Sequence, residues 1–114
     1  MKRILILITA LLLVAGCTEK EEVDWLIGKW YLASCKTENL KTGDKFKIDP
    51  GFKTWEFTRR GNIIIDGDRV MDYWHKDGKV SIESVIYEEV MHGRNEMQLM
   101  HKDAYSCTTY SFFR

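Results

Sequence analysis

The amino-acid sequence predicts an all-β domain built from short antiparallel strands. From Trp25 onward, apolar and polar residues alternate with a period of two, and no segment carries a helical apolar stripe of useful length. Turn-forming residues interrupt this alternation at short and regular intervals. We count about seven or eight strands, which is typical of a small barrel or a sandwich assembled from hairpins.

Each predicted strand is bounded by residues that favour turns. The strands span about residues 29–36, 53–58, 63–65, 69–75, 80–91, 96–101 and 105–113, with 80–91 assigned only as a β-rich stretch. The turns between them are Arg60-Gly61-Asn62, Asp66-Gly67-Asp68, Lys76-Asp77-Gly78-Lys79 and His92-Gly93-Arg94-Asn95. Residues 37–51 form one long irregular connection. It either carries a short strand near 46–48 or lies as a loop over one end of the domain.

The amino terminus has the pattern of a secretory signal peptide. A charged start precedes an apolar run over residues 4–14, which is too short to span a bilayer as a permanent helix. The run ends in Val14-Ala15-Gly16-Cys17, which resembles the lipobox of bacterial lipoproteins. The resemblance implies that residues 1–16 are removed, that Cys17 receives acyl chains such as palmitate, and that the protein is lipid-anchored in the cell envelope.

After the signal, the chain divides into a short tether and one domain. Residues 17–24 are polar and acidic, and residues 25–114 suffice for a single small core. In some double-membraned bacteria a comparable acidic cluster directs a lipoprotein to the cell surface. We expect attachment to the outer membrane, facing the periplasm or the exterior. The chain carries 17 basic and 17 acidic residues, so no surplus of positive charge indicates nucleic acid, and the expected partner is the lipid bilayer.

The three cysteines have different expected roles. Lipidation occupies Cys17, which leaves Cys35 and Cys107 as a pair. Disulfides persist in the oxidising compartments outside the cytoplasm, and an even remainder of cysteines favours one bridge. We therefore predict a disulfide between Cys35 and Cys107.

The start of the first strand contains Gly28-x-Trp30, which resembles the Gly-x-Trp motif of lipocalins and of small bacterial lipocalin-like domains. The resemblance implies an antiparallel up-and-down barrel, closed by pairing of its first and last strands. In that family the Trp closes one end of the barrel, and a basic residue from the last strand lies across its ring. The resemblance also implies a small apolar ligand in the interior.

The candidate ligand contacts are apolar residues expected to point inward. They are Trp30, Leu32, Trp55, Phe57, Val80, Ile82, Met97, Leu99, Tyr110 and Phe112. We expect the interior to be reached from the end opposite Trp30, and any ligand to be apolar, because an unpaired buried charge is costly. An eight-stranded barrel holds either packed side chains or one small ligand. The alternative is therefore a filled core in a protein-interaction or inhibitor module.

One register between the first and last strands connects the disulfide with the closing contact. If Cys35 faces Cys107, Trp30 lies opposite Phe112, and the side chain of Arg114 lies beside Trp30 on the same face. A cation over a Trp ring contributes about 0.5 to 2 kcal/mol. The disulfide would then lie on the outer face, unless a bulge intervenes.

No arrangement of polar residues indicates catalysis or a resident metal. His75, His92 and His101 are not spaced as ligands on one element. Glu88 and Glu89 accompany no recognisable nucleophile or base. We therefore expect a protein that is not an enzyme and that has neither a metal nor a cofactor.

Overall fold

The computed structural model describes residues 24–114. The predicted signal peptide 1–16, the acylated Cys17 and the tether as far as residue 23 lie outside the described residues. Within the described part of the chain, no helix has the length and apolar character needed to cross a membrane.

The described residues form nine β-strands. They are β1 Gly28–Asn39, β2 Lys45–Lys47, β3 Thr54–Phe57, β4 Asn62–Ile65, β5 Arg69–Lys76, β6 Lys79–Ile82, β7 Val85–His92, β8 Glu96–Lys102 and β9 Ser106–Phe113. From β3 to β9 each strand pairs antiparallel with the next, and β1 pairs with both β3 and β9. Eight strands therefore close an up-and-down barrel, while β2 adds to the second half of β1. The predicted all-β barrel is confirmed.

Two of the hairpins show how local sequence sets the strand pairing. Lys76 pairs with Lys79, so Asp77 and Gly78 alone make the turn, with φ values of 53° and 75°. Two consecutive positive φ values match the twist of an antiparallel hairpin, and Asp-Gly tolerates them well. The stretch 80–91 contains a second turn, because Ile82 pairs with Val85 across Glu83 and Ser84. That turn separates β6 from β7.

The pairing of β1 with β9 differs from the predicted register. Leu32 pairs with Phe112, and after a bulge at Ala33 the next pairs are Ser34 with Ser111 and Cys35 with Tyr110. The predicted opposition of Trp30 and Phe112 is therefore wrong. A bulge adds one residue to one strand, so every later side chain of β1 changes face. For this reason Cys35 is buried inside the barrel, and not on its outer face.

The predicted disulfide is a second correction, since both cysteines are free. Cys107 pairs with Glu38, three positions along β1 from Cys35. Three residues of strand span roughly 10 Å, beyond the usual alpha-carbon separation of about 4.4 to 6.8 Å in a disulfide. The two side chains also face opposite sides of the sheet, because Cys107 precedes the inward Thr108, which bonds Thr37 at 3.0 Å.

The core consists of alternate residues from the eight barrel strands, together with Leu26 before β1. Its buried members are Leu26, Trp30, Trp55, Phe57, Ile63, Ile65, Val80, Ile82, Met97, Leu99 and Phe112. Partly buried residues packed against them include Leu32, Phe52, Met71, Tyr73, Tyr87 and Tyr110. All of these residues belong to the barrel and the segments that border it.

Candidate ligand-binding site

One end of the barrel is closed by Trp30 and Arg114. Trp30 is fully buried, and the guanidinium carbon of Arg114 lies 4.1 Å from the centroid of its ring. Arg114 also donates from Nη1 to the carbonyl of Ile27 at 2.8 Å and from Nε to the carbonyl of Arg94 at 2.9 Å. The predicted contact between Trp30 and Arg114 is confirmed, although it arises from a different register. Since Tyr31 pairs with Phe113, continuing the two strands brings Arg114 level with Trp30.

Gly28 leaves room for this cation. Its φ is 129°, a conformation that other residues rarely adopt, and an added Cβ would lie 3.1 Å from Nη1 of Arg114. Two constraints therefore favour glycine at this position of the Gly-x-Trp motif, namely the backbone conformation and the space that Arg114 occupies.

The segment before β1 packs against Trp30 at this closed end. Leu26 is buried, and its carbonyl accepts a hydrogen bond from Nε1 of Trp30 at 2.9 Å. Trp25 stacks on His92 with ring centroids 4.0 Å apart, and its ring also meets Trp30 edge-on at 6.2 Å. The segment before β1 is therefore held to the barrel by aromatic contacts of Trp25.

His75 joins this entry segment to the barrel. Its Nδ1 lies 2.5 Å from a carboxylate oxygen of Asp24, and its Nε2 lies 2.5 Å from one of Glu89. Burial alone would lower the pKa of His75, but the hydrogen bonds to Asp24 and Glu89 and the charges of both carboxylates raise it above its ordinary value. Only the doubly protonated imidazolium donates to both carboxylates, so this is the form that the site favours.

The opposite end of the barrel is open and contains a cavity of about 390 Å³. We call this cavity the cup. Its lining residues are Ile48, Pro50, Gly51, Phe52, Trp55, Ile65, Arg69, Met71, Ile82, Glu83, Val85, Tyr87 and Tyr110. Most of these side chains are apolar or aromatic, and the two charged ones, Arg69 and Glu83, are both exposed. The cup is therefore an apolar cavity in which the charged groups remain near solvent.

Aromatic rings form much of the cup wall. Phe52 stacks on Trp55 with centroids 4.7 Å apart, and Tyr87 meets Trp55 edge-on at 5.4 Å. Tyr110 packs edge-on against Tyr87 at 5.6 Å. Burial, with smaller effects from Tyr87 and Cys35, raises the pKa of Tyr110 to about 12, so its hydroxyl stays protonated at neutral pH.

Trp55 carries a buried donor without a partner. Its side chain is 2% exposed, and its Nε1 has no hydrogen-bond acceptor among the described residues. Leaving a buried donor unpaired costs about 1 to 3 kcal/mol. Trp30 shows the contrast, since its Nε1 is bonded to Leu26.

The ten predicted ligand contacts all lie in the barrel core or pack against it. Only Trp55, Ile82 and Tyr110 line the cup. Residues such as Trp30, Phe57 and Met97 fill the barrel toward its closed end and are almost completely buried. The interior is therefore filled at one end and open at the other, and the cup lies at the end opposite Trp30, where an entrance was expected.

Several cup residues were not predicted from the sequence. Tyr87 lies on β7, whose phase could not be assigned while the turn at Glu83 and Ser84 was unrecognised. Phe52 and Pro50 belong to the connection before β3, for which a position over one end of the domain was one of two expectations. Short strand β2 occupies part of the same connection, so both expectations hold in part.

The histidines and acidic residues of the described chain serve other contacts. Among residues 24–114, no group of three or more His, Cys, Asp or Glu side chains is arranged to hold a metal ion. His101 contacts the carbonyl of Ile86 through Nδ1 at 3.2 Å. His92 lies 3.7 Å from Glu89 and stacks on Trp25.

Comparison with known families identifies the amino terminus. Residues 1–18 match the model of the prokaryotic membrane lipoprotein lipid attachment site. The protein is thus a membrane-anchored lipoprotein with a closed β-barrel domain. No curated protein and no solved structure matches the chain in the corresponding searches.

Proposed function

We propose that this lipoprotein is a non-enzymatic, lipocalin-like binding protein that holds a small, mainly apolar molecule in the cup. The single observation that carries the proposal is the cavity of about 390 Å³ bordered by Phe52, Trp55, Tyr87 and Tyr110. Cavities that bind small molecules commonly measure about 300 to 1,000 Å³ and are lined mostly by apolar and aromatic side chains. The cup lies at the lower end of this range, so the ligand is small.

The charge distribution limits the chemistry of the ligand. Arg69 and Glu83 are exposed, and Arg69 lies 4.0 Å from Asp66. The remaining lining is apolar, aromatic or backbone, so an ion placed deep in the cup would lose its hydration without gaining a charged partner. A neutral molecule is therefore favoured over a charged sugar or a nucleotide.

Trp55 gives the cup a preference for a ligand with one hydrogen-bond acceptor. Because its buried indole N–H has no acceptor among the described residues, a ligand that supplies one gains a hydrogen bond that a hydrocarbon cannot make. We therefore propose an apolar ligand that carries one acceptor, such as a carbonyl oxygen. A pair of probes that differ in this group alone, 2-acetylnaphthalene and 2-isopropylnaphthalene, tests the preference by competition.

Fluorescent N-phenyl-1-naphthylamine, a neutral apolar probe, measures occupation of the cup. The Cys17→Ser form, which lacks the acylated thiol, is the protein used for this measurement. Val85→Trp places a large ring in the cup wall and should weaken probe binding at least about tenfold. Val70→Trp is the matched control, because Val70 is an exposed strand valine that does not line the cup, and it should bind as the parent does.

Two results would contradict the proposal. One is a parent protein that neither binds the probe nor retains a small molecule from its host in native mass spectrometry. The other is a Val85→Trp variant that folds normally and binds the probe with unchanged affinity.

A further inference from the structure

The outer face of the barrel carries exposed apolar side chains on β5 and β7. Among them are Trp74 on β5 and Ile86, Val90 and Met91 on β7, whose exposed fractions lie between 42% and 50%. These are large apolar side chains on a face where alternation would place polar ones. We call them the outer patch.

The strand pairing brings two members of the outer patch together. Trp74 pairs with Ser81, and Ser81 pairs with Ile86, so the three residues share one face across three strands. Ser81 is only 4% exposed although it lies on the outside, because larger neighbours on both sides cover it. Trp74 and Ile86 therefore adjoin each other, while Glu88 lies between Ile86 and Val90 on the same face of β7.

A β-bulge extends the outer patch toward the closed end. The pairing of β7 with β8 shifts between Glu89 and Met91, which leaves Val90 without an opposite residue. Met91 shares the outer face with Gln98, while Glu89 points inward to His75. The bulge thus exposes two consecutive apolar side chains, Val90 and Met91, at the outer surface.

The lipid tether joins the barrel beside this patch. Asp24 bonds His75, which is the direct neighbour of Trp74, and His75 bonds Glu89, which precedes Val90. Seven alpha-carbon steps separate Cys17 from Asp24, and they reach at most about 25 Å when fully extended. Any membrane that holds the acyl chains of Cys17 therefore lies within about 25 Å of Asp24, which is next to the outer patch.

We propose that the outer patch docks on the bilayer that anchors Cys17. Trp favours the headgroup region of a bilayer, because its ring is apolar and its N–H is polar. The anchor keeps the local concentration of membrane high, so a weak contact of four side chains suffices to orient the barrel.

Depth-dependent fluorescence quenching tests the proposal on the complete mature lipoprotein, once its mass has verified the acylation of Cys17. The protein is reconstituted in vesicles of phosphatidylcholine and phosphatidylglycerol, with and without bromine on the phosphatidylcholine acyl chains. Comparison of the parent with Trp74→Phe isolates the emission of Trp74. We expect brominated lipid to quench this emission several-fold more than unbrominated lipid.

A Trp on the opposite wall of the barrel provides the matched control. Phe46 is 53% exposed on β2, which pairs with β1 across the barrel from β6, and Phe46→Trp is made in the Trp74→Phe background. Its emission should not respond to brominated lipid. Equal quenching at both positions, or none at Trp74, would overturn the proposal. Trp74 emission that shifts with protein concentration but not with bromine would also overturn it, since another protein copy would then cover the patch.

Discussion

Removal of the Arg114 side chain should destabilise the barrel measurably. Arg114→Ala deletes the contact with the Trp30 ring at 4.1 Å and the hydrogen bonds to the carbonyls of Ile27 and Arg94. At a partly exposed site the ring contact contributes about 0.5 to 1 kcal/mol, and each hydrogen bond a similar amount. The free energy of unfolding should therefore fall by about 2 kcal/mol, which lowers the Tm of a domain this small by roughly 8 °C or more.

Urea and thermal unfolding of the Cys17→Ser form, followed by circular dichroism, measures this loss. Arg114→Lys retains the charge but cannot reach both carbonyls and the ring at once, so its stability should be intermediate. Arg94→Ala is the control, because Arg94 contributes its carbonyl to the closing contact, and that group survives the substitution. If Arg114→Ala unfolds within about 0.5 kcal/mol of the parent, the closing role of Arg114 is refuted.

Three further predictions concern other parts of the barrel. The pKa of His75 is raised in the folded protein, so its contribution to the free energy of unfolding is complete below its unfolded pKa of about 6.5 and is lost as the pH rises through the folded pKa. Unfolding measured across this range should show the decline, and His75→Gln should remove it. Because Cys35 and Cys107 are free, a reducing agent should leave the Tm unchanged, and Cys107→Ser should change the free energy of unfolding by less than about 0.5 kcal/mol. If the two cysteines formed a native disulfide, both changes would be strongly destabilising. Gly28→Ala should cost about 1 to 3 kcal/mol, since φ is 129° and the new Cβ meets Arg114; a Tm equal to that of the parent would disprove this strain.

The strands of the barrel could be predicted from local sequence because pattern and turn chemistry agree. Trp55 and Phe57 alternate with polar residues and are both buried on β3. The Asp77-Gly78 hairpin has the backbone conformation that its sequence favours. Where the period-two pattern and the turn residues indicate the same structure, strand bounds follow within a few residues.

The register between the first and last strands could not be predicted, because it depends on closure of the whole barrel. Ala33, the bulged residue of β1, has no property that distinguishes it from its neighbours in the sequence. Assuming a disulfide fixed the wrong register, and the bulge then moved Cys35 from the outer face to the interior. The contact of Trp30 with Arg114 survived this error, because both registers bring the end of β9 beside the start of β1.

The cup was predicted only in part, for two physical reasons. Glu83 adopts a φ of 57° in the turn between β6 and β7, although Glu is not a residue that indicates such a turn. The inward position of Tyr87 could therefore not be predicted from the sequence. Phe52 lies outside any strand, so periodicity gives no information about its direction, and only the folded chain brings it onto Trp55.

The most direct test of the proposed binding function is an NMR titration that observes the indole N–H signals of the tryptophans. Trp55 lines the cup, while Trp30 lies at the closed end with its N–H bonded to Leu26. On addition of 2-acetylnaphthalene to the Cys17→Ser form, the Trp55 signal should shift and its hydrogen exchange should slow, while the Trp30 signal stays in place. A saturating titration that leaves the Trp55 signal unchanged, or that shifts Trp30 or Trp74 instead, would contradict binding in the cup.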